Sequence, residues 1–213
     1  MNTLFRCIAL WFGVSSMAFA QSAPTEQLDP IDAESIGKVV SCSICHGANG
    51  EGNEVMSAPL IGGMEEWYLS RQLRNFRLGI RGGTYEDVYG TQMRAIALAL
   101  DDLNEVDELS RYLASLAPPP AESSLSGNPE RGKQLYAVCS ACHGANGKGS
   151  KQMNSPDLTA QYDWYLVRQL NNFSNGLRGA NEDDIHGQQM VPIMQTLPDK
   201  QAINDVVAYI KTL

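Results

Sequence analysis

Basic side chains are scarce in this chain of 213 residues, where 16 Lys and Arg face 24 Asp and Glu for a formal charge of −8. Nucleic-acid binding depends on neutralising phosphates with Lys and Arg, so an acidic chain of this kind is a poor candidate for it. Long apolar runs are also missing after residue 20, which leaves no later segment that could span a membrane. Histidine is rarer still, with only His46, His143 and His186. Alternation with period two is scarce, so the expected class is all-α.

The first twenty residues are expected to be a cleaved secretion signal. Arg6 precedes the apolar run Cys7 to Val14, and Ala18-Phe19-Ala20 supplies the small-x-small cleavage pattern. The run is too short to serve as a comfortable membrane anchor. Cleavage after Ala20 removes Cys7 and Arg6, leaving 15 basic and 24 acidic side chains on a protein expected in the periplasm.

Four cysteines remain, and an exported chain would by default pair them as two disulfides. They stand instead as Cys42-Ser43-Ile44-Cys45-His46 and Cys139-Ser140-Ala141-Cys142-His143. Two thiols three positions apart can each add to one vinyl group of a single porphyrin, and the next residue then points an imidazole at the iron. This Cys-x-x-Cys-His pattern is the attachment signature of c-type haem. A structural zinc site would need a second ligand pair close by, and a thioredoxin-like pair would need a βαβ setting; neither is present.

The two pentads are 97 residues apart, and that offset holds to the chain end, with about 31 of 75 paired positions identical. Trp67-Tyr68-Leu69 matches Trp164-Tyr165-Leu166, Arg71-Gln72-Leu73 matches Arg168-Gln169-Leu170, and Gly90, Gln92 and Met93 match Gly187, Gln189 and Met190. A repeat of this length is a whole domain. The expected division is a signal at 1–20, a first domain at 21–117, a proline-rich linker at 118–128 and a second domain at 129–213. Pro118, Pro119 and Pro120 favour an extended, stiff connector. Helices are expected over 32–42 and 129–141, 65–78 and 162–175, and 102–116. In the last helix of the first half Leu103, Val106, Ser110, Leu113 and Leu116 fall at helical spacing, and in that of the second half Ile203, Val206, Val207, Ile210 and Leu213 do so.

His46 and His143 are the expected proximal iron ligands, which leaves the first half no histidine for the other face. Methionine is the natural sixth ligand, and a His/Met pair raises the potential into a carrier's range. Met56 and Met153 follow their histidines by ten residues, too soon to reach the far face, so Met93 and Met190 are assigned. Met56, Met64, Met153 and Met194 are read as core filler. His186 remains an alternative to Met190, although its repeat partner is Tyr89.

These residues resemble class I c-type cytochromes, and the di-haem cytochrome c4 family in particular. The resemblance spans the mature chain and rests on both CSxCHGANG segments, the YLxRQLxNF helix of each half and the G-x-Q-M loops. It implies two tandem all-α domains, each of three to four helices around a covalently bound haem. It also implies that the carbonyls of Pro59 and Pro156 accept the proximal histidine's Nδ1–H. The family's methionine is often followed two residues on by proline; Pro192 follows that pattern and Ala95 departs from it. The implied function is periplasmic electron transfer between a quinol-oxidising bc-type complex and a terminal oxidase or reductase. The alternatives are the cytochrome subunit of a dehydrogenase, including a flavocytochrome, or a di-haem enzyme with an open iron.

Arg81 and Arg178, with Tyr68 and Tyr165, occupy matching sites and are candidates to hold haem propionates, or else the arginines face solvent. Trp67 and Trp164 are read as helix-packing residues. Charge divides unevenly: residues 21–117 carry 7 basic and 15 acidic groups, residues 118–213 carry 8 and 9. Glu51 and Glu54 become Lys148 and Lys151, an asymmetry suited to docking different redox partners at the two ends.

Overall fold

A computed structural model of the protein describes residues 33–213. The expected signal at 1–20 and the start of the first domain lie outside the described residues. Four helices make the first half: α1 Ala33–His46, α2 Glu66–Arg77, α3 Val88–Ala97 and α4 Leu103–Ser115. Six make the second: α5 Pro129–Leu135, α6 Ser140–His143, α7 Asp163–Ser174, α8 Ile185–Gln188, α9 Met190–Met194 and α10 Lys200–Ile210. Among the described residues the only β pairing is two isolated bridges, Asn53 with Ala58 and Ser150 with Ser155. The class is all-α, and no described helix is long and apolar enough to cross a membrane.

Helices α4 and α10 begin where an aspartate caps them. Asp102 accepts from the amides of Asn104 and Glu105, and Asp199 from that of Ala202. Each then buries one stripe: Val106, Leu109 and Leu113 on α4, and Ile203, Val206, Val207 and Ile210 on α10. Such side chains contribute about 1.5–3 kcal/mol each on burial, which makes these helices the base of each half. Helix α5 crosses α10 at Gly132, where a Cβ would lie 1.9 Å from the Asp205 carbonyl oxygen. Only glycine permits that approach. Arg131 on α5 then pairs with Asp205 at 2.7 Å and Asp199 at 2.8 Å.

Three expectations need correction. Helix α1 runs through the cysteine pentad to His46, whereas its counterpart splits into α5 and α6. The split follows Tyr136, whose buried ring packs on Tyr209 with centroids 5.4 Å apart and whose hydroxyl donates to the Gly144 carbonyl at 2.9 Å, fixing a turn at 136–139. Val39 holds the matching place in α1 and imposes no such turn. Met93 lies inside helix α3, not on a loop; Asp87 caps that helix by accepting from the Gly90 amide. In the second half Pro192 has no N–H to offer the Gln188 carbonyl, so the segment breaks into α8 and α9, while Ala95 lets α3 run unbroken. Finally, Met194 is buried as expected, but Met56 and Met153 are each 49 % exposed and so are not core filler.

The segment 118–128 has no helix and is tied down. Asp163, 1 % exposed, accepts from the Ser123 hydroxyl and from the amides of Ser124, Leu125 and Trp164. Lys211 Nζ donates to the carbonyls of Ala121, Thr159 and Gln161 at 3.3, 3.0 and 2.8 Å. Burial alone would push the Asp163 carboxyl up, but these hydrogen bonds together hold it below its ordinary value. Its contribution to stability is therefore present at neutral pH and lost as pH falls through the depressed native value. Asp163→Asn should lower unfolding stability by about 2 kcal/mol near pH 7. In urea melts the gap from wild type should shrink below about pH 4.

Candidate functional site

Each half encloses a cleft against its cysteine pentad. The first is lined by Cys42, Cys45, His46, Met93 and Phe76, the second by Cys139, Cys142, His143, Met190 and Phe173, in walls that are mostly apolar. They hold ≈ 1410 and ≈ 1310 Å³ of atom-free space, mouths included. All four cysteines are free and half-buried.

His46 and His143 are buried, with Nδ1 lying 2.8 Å from the Pro59 carbonyl oxygen and 3.1 Å from that of Pro156. A carbonyl can only accept, so Nδ1 carries the hydrogen and Nε2 keeps its lone pair. Burial pushes both imidazoles below the ordinary histidine value, more than these contacts raise them, which favours the neutral ring. His186 lines the second cleft too, and its Nδ1 is buried without a partner. Its repeat partner Tyr89 lines the first cleft under the Arg168 guanidinium, 4.3 Å from ring centroid to Cζ.

Between the clefts the halves share one hydrogen-bonded lattice. Arg81, only 7 % exposed, donates to Gln72 of its own half at 2.8 Å and, across the boundary, to Tyr165 at 2.8 Å and Gln169 at 2.7 Å. Arg178 mirrors it, donating to Gln169 at 3.0 Å and to Tyr68 and Gln72 of the other half at 3.1 Å each. The two guanidiniums lie over Phe76 and Phe173, each at 4.5 Å. Gln161 adds a clasp, accepting from the Leu60 amide and donating to the Leu60 carbonyl. Solvent-facing Arg81 is thus ruled out.

Positive charge is in excess here. Arg71, Arg81, Arg168 and Arg178 all line the clefts, and among the described residues none has a carboxylate within salt-bridge distance. Burial would raise the Tyr68 hydroxyl, yet Arg178, Arg81 and Arg71 pull it below the ordinary phenol value. Buried cations need anions. A flat apolar group carrying two carboxylates, held by two thiols and an imidazole nitrogen, fits each cleft, and those are the attributes of haem.

The family model for cytochrome c matches twice, over residues 37–117 and 129–213. The chain belongs to the cytochrome c family, in its di-haem cytochrome c4 group. Cytochrome c4 of Azotobacter vinelandii is 26 % identical over 98 % of this chain and 96 % of its own length. The thiosulfate dehydrogenase electron acceptor of Stutzerimonas stutzeri (strain A1501) is 30 % identical over 70 % of this chain and 69 % of its own length. The structure of Acidithiobacillus ferrooxidans cytochrome c4 superposes with a TM-score of 0.67 at 26 % identity, covering 82 % of this chain and 99 % of that one. The two clefts are therefore those of tandem cytochrome c domains, and Cys42 with Cys45, and Cys139 with Cys142, each fit one covalently bound haem c.

Sequence reading located both attachment sites of this cytochrome but gave no role to Arg71, Arg168, Gln72, Gln169 or Gln161. A usable signal was present for four of them: a charged Arg-Gln pair kept in both copies of an otherwise packed helix. Gln161 had none, since its repeat partner is Met64. Replacing Cys139 and Cys142 together by Ala should leave one haem per chain, counted by mass spectrometry and by pyridine haemochrome absorbance.

Proposed function

We propose that the protein is a periplasmic carrier of single electrons in which His46 and Met93 ligate one haem iron and His143 and Met190 the other. What carries this reading is the matched pair of clefts, each gathering a buried histidine with its Nδ1 on a carbonyl and the methionine of a repeated G-x-Q-M segment. When bound, each haem supplies reversible one-electron iron chemistry. The Pro59 and Pro156 carbonyls fix the imidazoles in the tautomer that offers Nε2 to a metal. The Met93 and Met190 thioethers would be the soft donors that help hold each iron and would favour its reduced state. Arg81 and Arg178, with the hydroxyls of Tyr68 and Tyr165, would hold the propionates and offset their charge.

The donor in this reading is a quinol-oxidising bc-type complex and the acceptor a terminal oxidase or reductase. The two ends suit different partners. Around the first cleft, Met56, Tyr89 and Ile96 are exposed at the lining and Ile44 stands out between the cysteines, and the loop after His46 carries Glu51 and Glu54. The second half puts Ala141 in place of Ile44 and His186 in place of Tyr89, and carries Lys148 and Lys151. Lys148 is occupied within its own half, donating to Asp157 at 3.1 Å and Thr159 at 2.7 Å, which leaves Lys151 as the better placed of the two for an acidic partner. A second reading, cytochrome partner of a dehydrogenase, is favoured by the relative that is itself a thiosulfate dehydrogenase electron acceptor.

An optical redox titration of the mature protein tests the carrier. Two high-potential steps, with the long-wavelength band of methionine-ligated ferric haem at full two-site intensity, are expected. Met93→Ala and Met190→Ala should each remove half of that band and lower one potential, while His186→Gln should leave the band intact. A low-potential or ligand-binding haem in the unaltered protein would sink the reading. Lys151→Glu should slow electron exchange with one physiological partner and not the other, measured by stopped flow at low ionic strength; co-purification with a dehydrogenase would favour the second reading.

A further inference from the structure

Arg168 belongs to the second half in sequence but lines the first cleft beside Arg81, and Arg71 belongs to the first half but lines the second cleft beside Arg178. Each is anchored on the opposite half's loop. Arg168 donates to the Ser57 carbonyl at 2.7 Å, and Arg71 to the Asn154 carbonyl at 2.9 Å and its side-chain oxygen at 3.2 Å. Ser57 and Asn154 are repeat partners and, among the described residues, the two non-glycine positions with left-handed backbone, φ 56° in both. The crossing is therefore built the same way twice. Aromatic faces position the guanidiniums further: Arg168 over Tyr89 and Trp164, Arg71 over Trp67 and Tyr68. Arg168 Nε is buried with no hydrogen-bond partner. Each cleft thus holds two guanidiniums, one native and one from the other half, and no carboxylate of the described residues answers either pair within salt-bridge distance. Asp87 and Asp184, the buried carboxylates nearest in effect, are engaged as helix caps by the Gly90 and Gly187 amides.

We infer that the two domains exchange arginines: the propionates of the first-half haem are neutralised by Arg81 and Arg168, and those of the second-half haem by Arg178 and Arg71. This rests on the haem reading of the clefts and goes beyond the roles proposed for Arg81 and Arg178. Two propionates on each haem meet two guanidiniums, so neither site is electrostatically complete without the other domain. A cation near the iron opposes the oxidised state. Loss of a borrowed arginine should then lower the potential of the haem in the opposite half.

The test uses the mature di-haem protein with Arg168→Gln, Arg71→Gln and the charge-keeping Arg168→Lys and Arg71→Lys, one at a time. Potentials are followed through haem-methyl NMR resonances assigned to each half by contacts with that half's own side chains. Arg168→Gln should weaken electron uptake by the first-half haem roughly tenfold, ~59 mV for a one-electron couple, with the second unmoved. Arg71→Gln should do the reverse. The Lys variants keep the charge but lose the planar fork, so they should shift the same haem by less, and they decide the matter if a Gln variant does not fold. A shift confined to the variant's own half, an equal shift of both haems, or none would overturn the exchange. Failure of the unaltered protein to show two c-type haems would instead sink the reading beneath it.

Discussion

Four guanidinium groups brought together where the two halves meet, with no carboxylate of the described residues within salt-bridge reach, set the terms for the rest of the molecule. Charge that is partly desolvated has to be matched, and in the reading proposed above that match falls to the groups that enter the clefts. Helices α2 and α7 carry the glutamines and tyrosines that hold Arg81 and Arg178, so their facing orientation follows from the same requirement. In that reading the fold and the cofactor sites are one electrostatic arrangement, with the protein supplying the positive half.

The repeat is not a simple copy. Among the described residues, the second half carries ties without a counterpart in the first: Asp163 gathering four donors and Lys211 three carbonyls. At the matching positions the first half has Glu66 and Ala114. These ties fasten the connecting segment to the second half, so the chain between the domains is shaped by side chains that a proline-rich stretch alone does not reveal. The differences extend to the cleft linings, where Tyr89 gives way to His186, and to the loops after the pentads, where Glu51 and Glu54 give way to Lys148 and Lys151.

Much of the architecture is legible in the order of residues alone. The pentads, the 97-residue offset and the stripes of α4 and α10 are local patterns, and local patterns survive in one dimension. Misreadings arise where a local pattern has to be weighed against packing. The glycine before Met93 suggests a loop, but the Asp87 cap and the absence of proline at position 95 make a helix there. Met56 and Met153 look like core residues by type and sit half-exposed at the cleft mouths because they fall within the tight bridges at 53–58 and 150–155.

By itself the sequence determined that two helical units each attach a haem, because thioether attachment needs two thiols and an imidazole within five residues. It also determined which histidines and which repeated methionines were available. Only the tertiary structure decided that Arg168 lines the first cleft and Arg71 the second. Those contacts join residues 83 and 111 positions apart, and every copy of a repeat looks self-sufficient when read alone. A pseudo-symmetric interface exchanges side chains between halves, and exchange leaves no mark in a pattern that is identical on both sides.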